Sequence, residues 1–271
     1  MNRLPFMRLA LGVAALALSG CTTLTIDRSY TARGQDSRAQ FLILHYTVID
    51  WPTSLRVLTQ QAVSSHYLIR DDPPEIYQLV DENRRAWHAG VSSWKGQTQL
   101  NAASIGIEIV NRGFVKNEKG EREWFDYPPA QQDAIIALVK DIVARHQIPP
   151  DRVLGHSDIA PQRKQDPGPR FPWKRLAEAG LVLWPDEGRV RDVLPRFEKE
   201  LPDVEWFQRR LVQHGFELKV NGQYDEATLN VLAAFQMKYR PSNIEGGMDA
   251  ETAALLAVLT ARDGDADNEP G

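Results

Sequence analysis

Cysteine is nearly absent from this chain, which has 271 residues and a single thiol at Cys21. One thiol cannot form a disulfide within the chain, so the fold depends on its hydrophobic core, with or without a metal. Hydrophobic residues make up 42% of the sequence and charged residues 25%, which are ordinary values for a globular protein. The length allows one large or two moderate domains, and nothing in the composition indicates collagen, a coiled coil or extensive disorder.

An excess of positive charge is also missing. Lysine and arginine total 32 against 36 acidic residues, which gives a formal net charge of −4. Non-specific binding to nucleic acid needs a basic surface, so this class of partner is not expected.

The amino-terminal apolar segment is too short to span a membrane comfortably. It runs over residues 9–18 and follows Arg3 and Arg8. A positive start followed by a short apolar run is typical of a secretory signal peptide, which we assign to residues 1–20.

The segment Leu18-Ser19-Gly20-Cys21 closes this apolar run and resembles the lipobox of bacterial lipoproteins. The resemblance implies that Cys21 is lipidated and anchors the protein to a membrane. Thr22 follows where an Asp would favour inner-membrane retention, so we expect an outer-membrane lipoprotein facing the periplasm of a Gram-negative cell. The alternative is a plain signal peptide with an incidental cysteine.

Periodicity in the first two thirds of the chain predicts an α/β fold with a mixed sheet flanked by helices. A second unit over residues 202–262 has the spacing of three short helices, and Asp225 and Asp249 are candidate N-caps for two of them. Strands are expected over 41–46, 66–69, 76–80 and 104–110, and helices over 53–63, 129–146 and 204–214.

The ionisable residues that suggest chemistry lie in three places. The loop over residues 155–168 contains His156, Lys164 and Asp166, His45 ends an apolar strand, and Glu108 lies inside another. Two histidines and one carboxylate would satisfy a catalytic zinc site, which uses three protein ligands and leaves a position for water. A further carboxylate can accept the proton of that water, and a cation can stabilise an oxyanion.

Two alternatives remain open from the residues alone. Glu108 shares a strand face with Gly106, so it could lie on the solvent face of a half-buried strand. Asp158, two residues after His156, competes with Asp166 as the third ligand.

These segments resemble the zinc-dependent N-acetylmuramoyl-L-alanine amidases related to peptidoglycan-recognition proteins. The matching motifs are His45 after its strand, the residues 104–108, Trp87-His88-Ala89-Gly90 and His156-x7-Lys164-x-Asp166, and the similarity covers roughly residues 38–182. The resemblance implies hydrolysis of the amide between the lactyl group of N-acetylmuramic acid and L-Ala of a stem peptide, in cell-wall turnover or recycling.

The same resemblance implies the roles of individual residues. His45, His156 and Asp166 would bind one Zn²⁺ per chain, Glu108 would act as the general base, and Lys164 would stabilise the oxyanion. We expect further contacts to peptidoglycan or muropeptides from three other side chains, which are Trp87, His88 and Asn101.

The carboxy-terminal unit resembles a three-helix peptidoglycan-binding domain, through residues 222–228, Phe235-Gln236 and Asp249-x-x-Thr252. The expected organisation is a signal peptide at 1–20, a tether at 21–38, an amidase domain at 39–185, a linker with some local structure at 186–201, the binding unit at 202–262 and a disordered tail at 263–271. Two rival functions are a wall-binding protein with an inactive site and a zinc peptidase that cuts within the stem. The oligomeric state cannot be inferred from the sequence.

Overall fold

A computed structural model describes residues 24–261 of the chain. The predicted signal peptide, Cys21 and the predicted tail at 263–271 lie outside the described residues. The chain divides into two compact units, Met1–Gln35 and Asp36–Gly271. The described part of the first, residues 24–35, contains no helix or strand.

The second unit contains a five-stranded mixed sheet, as predicted, with the order β3-β2-β4-β1-β7. β1 pairs in parallel with β4 and β7, β2 pairs in parallel with β4, and only the β2–β3 pair is antiparallel. A separate antiparallel pair is formed by β5 and β6. The strands are β1 Phe41–Tyr46, β2 Tyr67–Ile69, β3 Ile76–Gln78, β4 Ser104–Ile109, β5 Phe114–Lys116, β6 Arg122–Trp124 and β7 Val153–Gly155.

Side chains of the two central strands alternate between two buried faces. Leu42 and Leu44 of β1 lie in one apolar cluster with Ile105 and Ile107 of β4. This cluster also contains the apolar side of the helix over Pro129–His146, whose bounds agree with the sequence prediction. The opposite face of β1 and β4 carries the polar residues of interest, because successive strand residues point to opposite sides.

Nine helices are found in the described residues. Proline or an aspartate N-cap marks the start of several of them, as expected where the first N–H groups lack partners. No helix in residues 24–261 is long and apolar enough to cross a bilayer. The helices are α1 Trp51–Gln60, α2 Leu100–Ala103, α3 Pro129–His146, α4 His156–Ile159, α5 Trp173–Glu178, α6 Glu187–Lys199, α7 Val204–His214, α8 Glu226–Tyr239 and α9 Ala250–Leu259.

The carboxy-terminal helices begin where the sequence indicated. The Asp225 side chain accepts a hydrogen bond from the backbone of Thr228, and Asp249 does the same for Thr252. The segment interpreted as a linker is largely one helix, α6, which packs against α9. Phe197 of α6 is buried in the same cluster as the other carboxy-terminal helices, so burial of its apolar side explains why the segment is ordered.

The sheet and the carboxy-terminal helices share one hydrophobic core. Phe41 and Ile43 of β1 belong to the same cluster as Phe207 of α7 and Phe235 of α8. Trp94 is 1% exposed and packs edge-on against His214, close to the backbone of Gly215. The carboxy-terminal helices therefore complete the core of the second unit.

Candidate active site

Three parallel strands bring the predicted site residues to one edge of the sheet. In the β1–β4 register, His45 lies directly beside Glu108. Leu44 of β1 is paired with Gly155 of β7, so His156 follows at the same edge. The carboxyl ends of parallel strands commonly form binding crevices, and this arrangement places residues that are 111 positions apart in contact.

His45, His156 and Asp166 converge on one point. Their side chains offer three possible ligand atoms that all lie within 4.8 Å of one another. Nδ1 of His45 is 3.0 Å from Nδ1 of His156, and each is 3.0 Å from Oδ2 of Asp166. All three residues are buried, with at most 7% exposure. The predicted ligand set is therefore assembled by the fold.

The charge states of this cluster suit a cation. Burial, followed by the nearby charge of His156, lowers the pKa of His45 to about 4, so its imidazole is neutral near pH 7. Burial alone would raise the pKa of Asp166, but the two imidazoles outweigh it and the net pKa is lowered. Two imidazoles and a carboxylate are a usual set of zinc ligands, so these residues fit that metal.

Glu108 faces the site and lacks a full set of partners. Its Oε2 is buried and finds no hydrogen-bond partner among the described residues. Burial raises its pKa well above the ordinary value, the charge of Asp166 adds to this, and Lys164 opposes it. A carboxylate with a raised pKa and a free oxygen can accept a proton from a reacting group. Glu108 is half-buried, and its side chain lines the cleft.

Lys164 lies on the wall of the same cleft. The cleft has a volume of about 420 Å³ and is also lined by Tyr46, Glu108, His156 and Asp166. Within residues 24–261, the Lys164 ammonium makes no hydrogen bond or ion pair with protein. Its charge is therefore available to a group bound in the cleft.

Asp158, the rival ligand, is used elsewhere. Its Oδ2 accepts hydrogen bonds from Nζ of Lys238 at 2.9 Å and from the backbone N–H of Gly155 at 2.8 Å. Both charged side chains are buried, and Lys238 also lies over the ring of Trp173. Sequence reasoning missed Lys238, although a lysine between Phe235, Met237 and Tyr239 on a buried helix was a signal.

The three residues expected to contact substrate have different surroundings. Trp87 is 50% exposed and lines the cleft, so its ring is accessible to a bound group. His88 is only 9% exposed, and its two ring nitrogens already contact His45 and Ser104. The amide oxygen of Asn101 accepts hydrogen bonds from the backbone of His88 and Ala89. For His88 and Asn101 the observed partners are therefore protein groups.

A second cleft adjoins the first. It has a volume of about 770 Å³ and shares Trp87 and Arg163 with the first cleft. Its far wall is formed by Glu217, Lys219 and Ala227 of the carboxy-terminal helical region. The two clefts together extend from the ligand cluster to the carboxy-terminal helices.

A cleft containing three metal-ligand side chains, a poised carboxylate and a free cation is typical of hydrolases that activate water with a metal. Comparison with known families identifies the class. The N-acetylmuramoyl-L-alanine amidase family model matches residues 35–169, and that of a peptidoglycan binding domain matches residues 200–256. The chain belongs to the N-acetylmuramoyl-L-alanine amidase family, and it is an enzyme of that class.

Individual relatives agree over nearly the whole length. The chain is 42% identical to N-acetylmuramoyl-L-alanine amidase AmiD of Escherichia coli K12, over 93% of this chain and 96% of that protein. Its structure is similar to that of Escherichia coli AmiD in complex with anhydro-N-acetylmuramic acid-L-Ala-D-gamma-Glu-L-Lys (TM-score 0.78, 41% identity, 86% of this chain and 93% of that one). AmpDh3 of Pseudomonas aeruginosa in complex with anhydromuramic pentapeptide is also similar (TM-score 0.80, 40% identity, 88% and 98% covered).

Proposed function

We propose that this amidase is zinc-dependent and cleaves the amide between the lactyl group of N-acetylmuramic acid and L-Ala of a stem peptide. The observation that carries the proposal is the cluster of His45, His156 and Asp166 beside the unpaired Oε2 of Glu108. We propose that these three residues hold one Zn²⁺. When bound there, zinc would lower the pKa of a water molecule and polarise the scissile carbonyl.

The remaining steps belong to residues of this chain. Glu108 accepts the proton of the attacking water and then donates it to the departing amine of L-Ala. Lys164 stabilises the negative charge that develops on the carbonyl oxygen, because its ammonium lines the cleft and forms no direct hydrogen bond or ion pair among the described residues. The buried Oε2 of Glu108 strengthens its interactions, since charges that are shielded from water are weakly screened.

The substrate is inferred from the clefts and the relatives. Two similar amidases have been observed with anhydromuramic peptides bound. We propose a muropeptide of this class or intact peptidoglycan, with the exposed ring of Trp87 as a contact surface for a sugar or peptide. Arg85 stacks on Trp87 with its guanidinium carbon 4.0 Å from the ring centroid, which holds the ring in place at the mouth of the cleft.

The carboxy-terminal helical region is proposed to bind the glycan. Its match to a peptidoglycan binding domain supports this role, and Glu217 and Lys219 bring polar side chains to the second cleft. We also propose that Cys21 is lipidated and anchors the enzyme to the outer membrane on the periplasmic side. The lipobox-like sequence before Cys21 supports that location.

Mass spectrometry of digested muropeptides tests the bond that is cut. Intact stem peptides with a free amino-terminal L-Ala are expected, whereas shortened stems would indicate a peptidase instead. Running the digest on sacculi and on soluble anhydromuropeptides would establish the preferred substrate.

Two variants test the roles of the site residues. Glu108→Ala should lose most turnover in the digest but retain zinc by metal analysis, and His156→Ala should lose zinc. Two measurements test the lipid anchor. Globomycin should block processing of the wild type, and a fatty-acid analogue should label it, whereas Cys21→Ala should not be labelled.

A further inference from the structure

The segment Trp87-His88-Ala89-Gly90 lies behind both histidines of the ligand cluster. His88 contacts His45, and the carbonyl oxygen of Ala89 contacts His156. Each contact involves the ring nitrogen that does not face Asp166. The partner groups in the segment therefore bear on which nitrogen of each histidine carries a proton.

The tautomer of His156 follows from a single contact. Its Nε2 lies 3.1 Å from the carbonyl oxygen of Ala89, which can only accept a hydrogen bond. Nε2 must then carry a hydrogen, which leaves Nδ1, 3.0 Å from Asp166 Oδ2, as the nitrogen that can offer a lone pair to a metal. The Arg163 guanidinium donates to the carbonyl oxygens of Ala89 and Val91 and lies farther from Nε2, at 3.4 Å.

The tautomer of His45 follows from contacts through two further side chains, His88 and Ser104. The Ser104 hydroxyl donates to the carbonyl oxygen of Leu100, so Ser104 Oγ accepts from Nε2 of His88, at 3.1 Å. Nδ1 of His88 is then unprotonated and accepts from Nε2 of His45, at 3.0 Å. His45 therefore also presents a lone pair at Nδ1. In both cases a backbone carbonyl, which cannot donate, sets the direction of the hydrogen bonds.

The segment itself is fixed from two sides. Asn101 Oδ1 accepts from the backbone N–H of His88 at 3.0 Å and of Ala89 at 2.8 Å. The ring of His88 lies directly on β4, because a Cβ added at Gly106 would come within 2.5 Å of His88 Cγ. Gly106 is thus the residue of β4 that makes room for His88.

We infer that residues 87–90, held by Asn101, are positioning residues that set the tautomers of His45 and His156, so that each directs an unprotonated Nδ1 at the zinc. The inference rests on the zinc site proposed above. Groups that orient metal-bound histidines in this way typically contribute 10–100-fold to metal affinity.

Zinc affinity, measured by competition with a chromogenic chelator, tests the inference. Asn101→Ala and His88→Phe are expected to bind zinc about 10–100-fold more weakly than the wild type. Asn101→Asp keeps an oxygen that accepts both N–H groups, so it should restore the affinity. Val91→Ala, which changes a 91% exposed side chain just after the segment, is the matched control and should bind zinc normally.

The outcomes separate the two proposals. A wild-type protein that does not bind zinc would refute the zinc site itself. If the wild type binds but Asn101→Ala binds equally well, or Asn101→Asp is as weak as Asn101→Ala, the positioning role is wrong. The Asn101 pair decides the question even if His88→Phe does not fold.

Nitrogen-15 NMR of the zinc-loaded protein gives a readout that a purely structural role would not change. His45 and His156 should both show Nε2–H signals that exchange slowly with solvent in the wild type, because each N–H is hydrogen-bonded to the segment. In Asn101→Ala these N–H signals should exchange faster. Unchanged exchange in that variant, with only a lower melting temperature, would contradict the inference.

Discussion

Glu108 destabilises the folded protein at the position where the proposed chemistry needs it. Its buried Oε2 has no hydrogen-bond partner among the described residues, and its pKa is raised by burial and by Asp166. An acid with a raised pKa in the folded state is charged more readily in the unfolded state. The resulting loss of stability is absent below the ordinary glutamate pKa and grows as the pH rises above it.

We therefore predict opposite effects of Glu108→Gln on activity and stability. Turnover should fall by about 10²–10⁴-fold, because the proton acceptor is lost. The free energy of unfolding of the metal-free protein at pH 7 should rise, since a carboxyl group whose pKa is raised in the folded state is removed. Activity assays and urea unfolding check this, with the exposed Glu118→Gln as the control.

The activity of the wild type should decline as the pH falls through the raised pKa of Glu108. If activity instead declines only at the ordinary pKa of glutamate, Glu108 is not the base.

At the residue scale, the sequence identified the side chains of the site but not all of their partners. The identities of His45, Glu108, His156, Lys164 and Asp166 follow from motifs, and the fold brings them to one cleft. The roles of His88 and Asn101 could not be inferred, because they depend on hydrogen-bond direction in three dimensions.

At the element scale, periodicity predicted the long elements well and their pairing not at all. The helix at Pro129–His146 and the strand at Phe41–Tyr46 have the predicted bounds. The register that places His45 beside Glu108 is a long-range property, since the two residues are 63 positions apart and no local pattern specifies their pairing. Helix α6 was missed because a proline and many charges hide the apolar side that packs on α9.

A buried ion pair lies close to the junction of β7 and α4. Lys238 of α8 and Asp158 of α4 form this pair, and Asp158 lies two residues along the chain from His156, a proposed metal ligand. Lys238→Met should lower the free energy of unfolding by about 3–5 kcal/mol, because Asp158 remains buried without its partner.

The double variant Lys238→Met, Asp158→Asn is the control for this prediction. It removes both charges and should recover much of the lost stability in urea unfolding, since an uncompensated buried charge is the cause. A double variant no more stable than Lys238→Met would show that packing, not charge, is responsible.

At the scale of the whole molecule, the sheet and the carboxy-terminal helices share their core, which the sequence did not reveal. Composition and a proline-containing segment suggested two domains joined by a linker, whereas Trp94 and β1 pack among residues of α7 and α8. Separately folded domains would keep distinct clusters, so the shared one predicts that both regions unfold together.

Calorimetry checks this cooperativity. The full chain should show one transition, with equal calorimetric and van't Hoff enthalpies. Trp94→Ala should lower the stability by about 3–5 kcal/mol and shift that single transition as a whole. The exposed Val115→Ala, in the β5–β6 pair, is the control. Two transitions, of which Trp94→Ala moves only one, would contradict a common core.

The interface between these regions should also be sensitive to acid through His214. Burial lowers the pKa of His214 from 6.5 to about 3, and the charges of Lys238 and Lys95 add to the effect. The ring packs edge-on against Trp94, and its Nδ1 has no hydrogen-bond partner in residues 24–261. The unfolded chain therefore binds a proton at His214 below pH 6.5, while the folded protein does not until the pH approaches 3.

The contribution of His214 to stability is thus unchanged above pH 7 and is lost progressively as the pH falls from about 6.5 to 3. At pH 5 the loss amounts to about 2 kcal/mol, because each unit of pKa difference corresponds to about 1.4 kcal/mol. His214→Gln cannot bind this proton, so its loss of stability between pH 7 and pH 5 should be smaller by about that amount. Urea unfolding of both proteins at the two pH values measures the difference, which does not depend on how well glutamine packs. Equal losses in the two proteins would mean that His214 is protonated in the folded state, and that Trp94 packs against a charged ring.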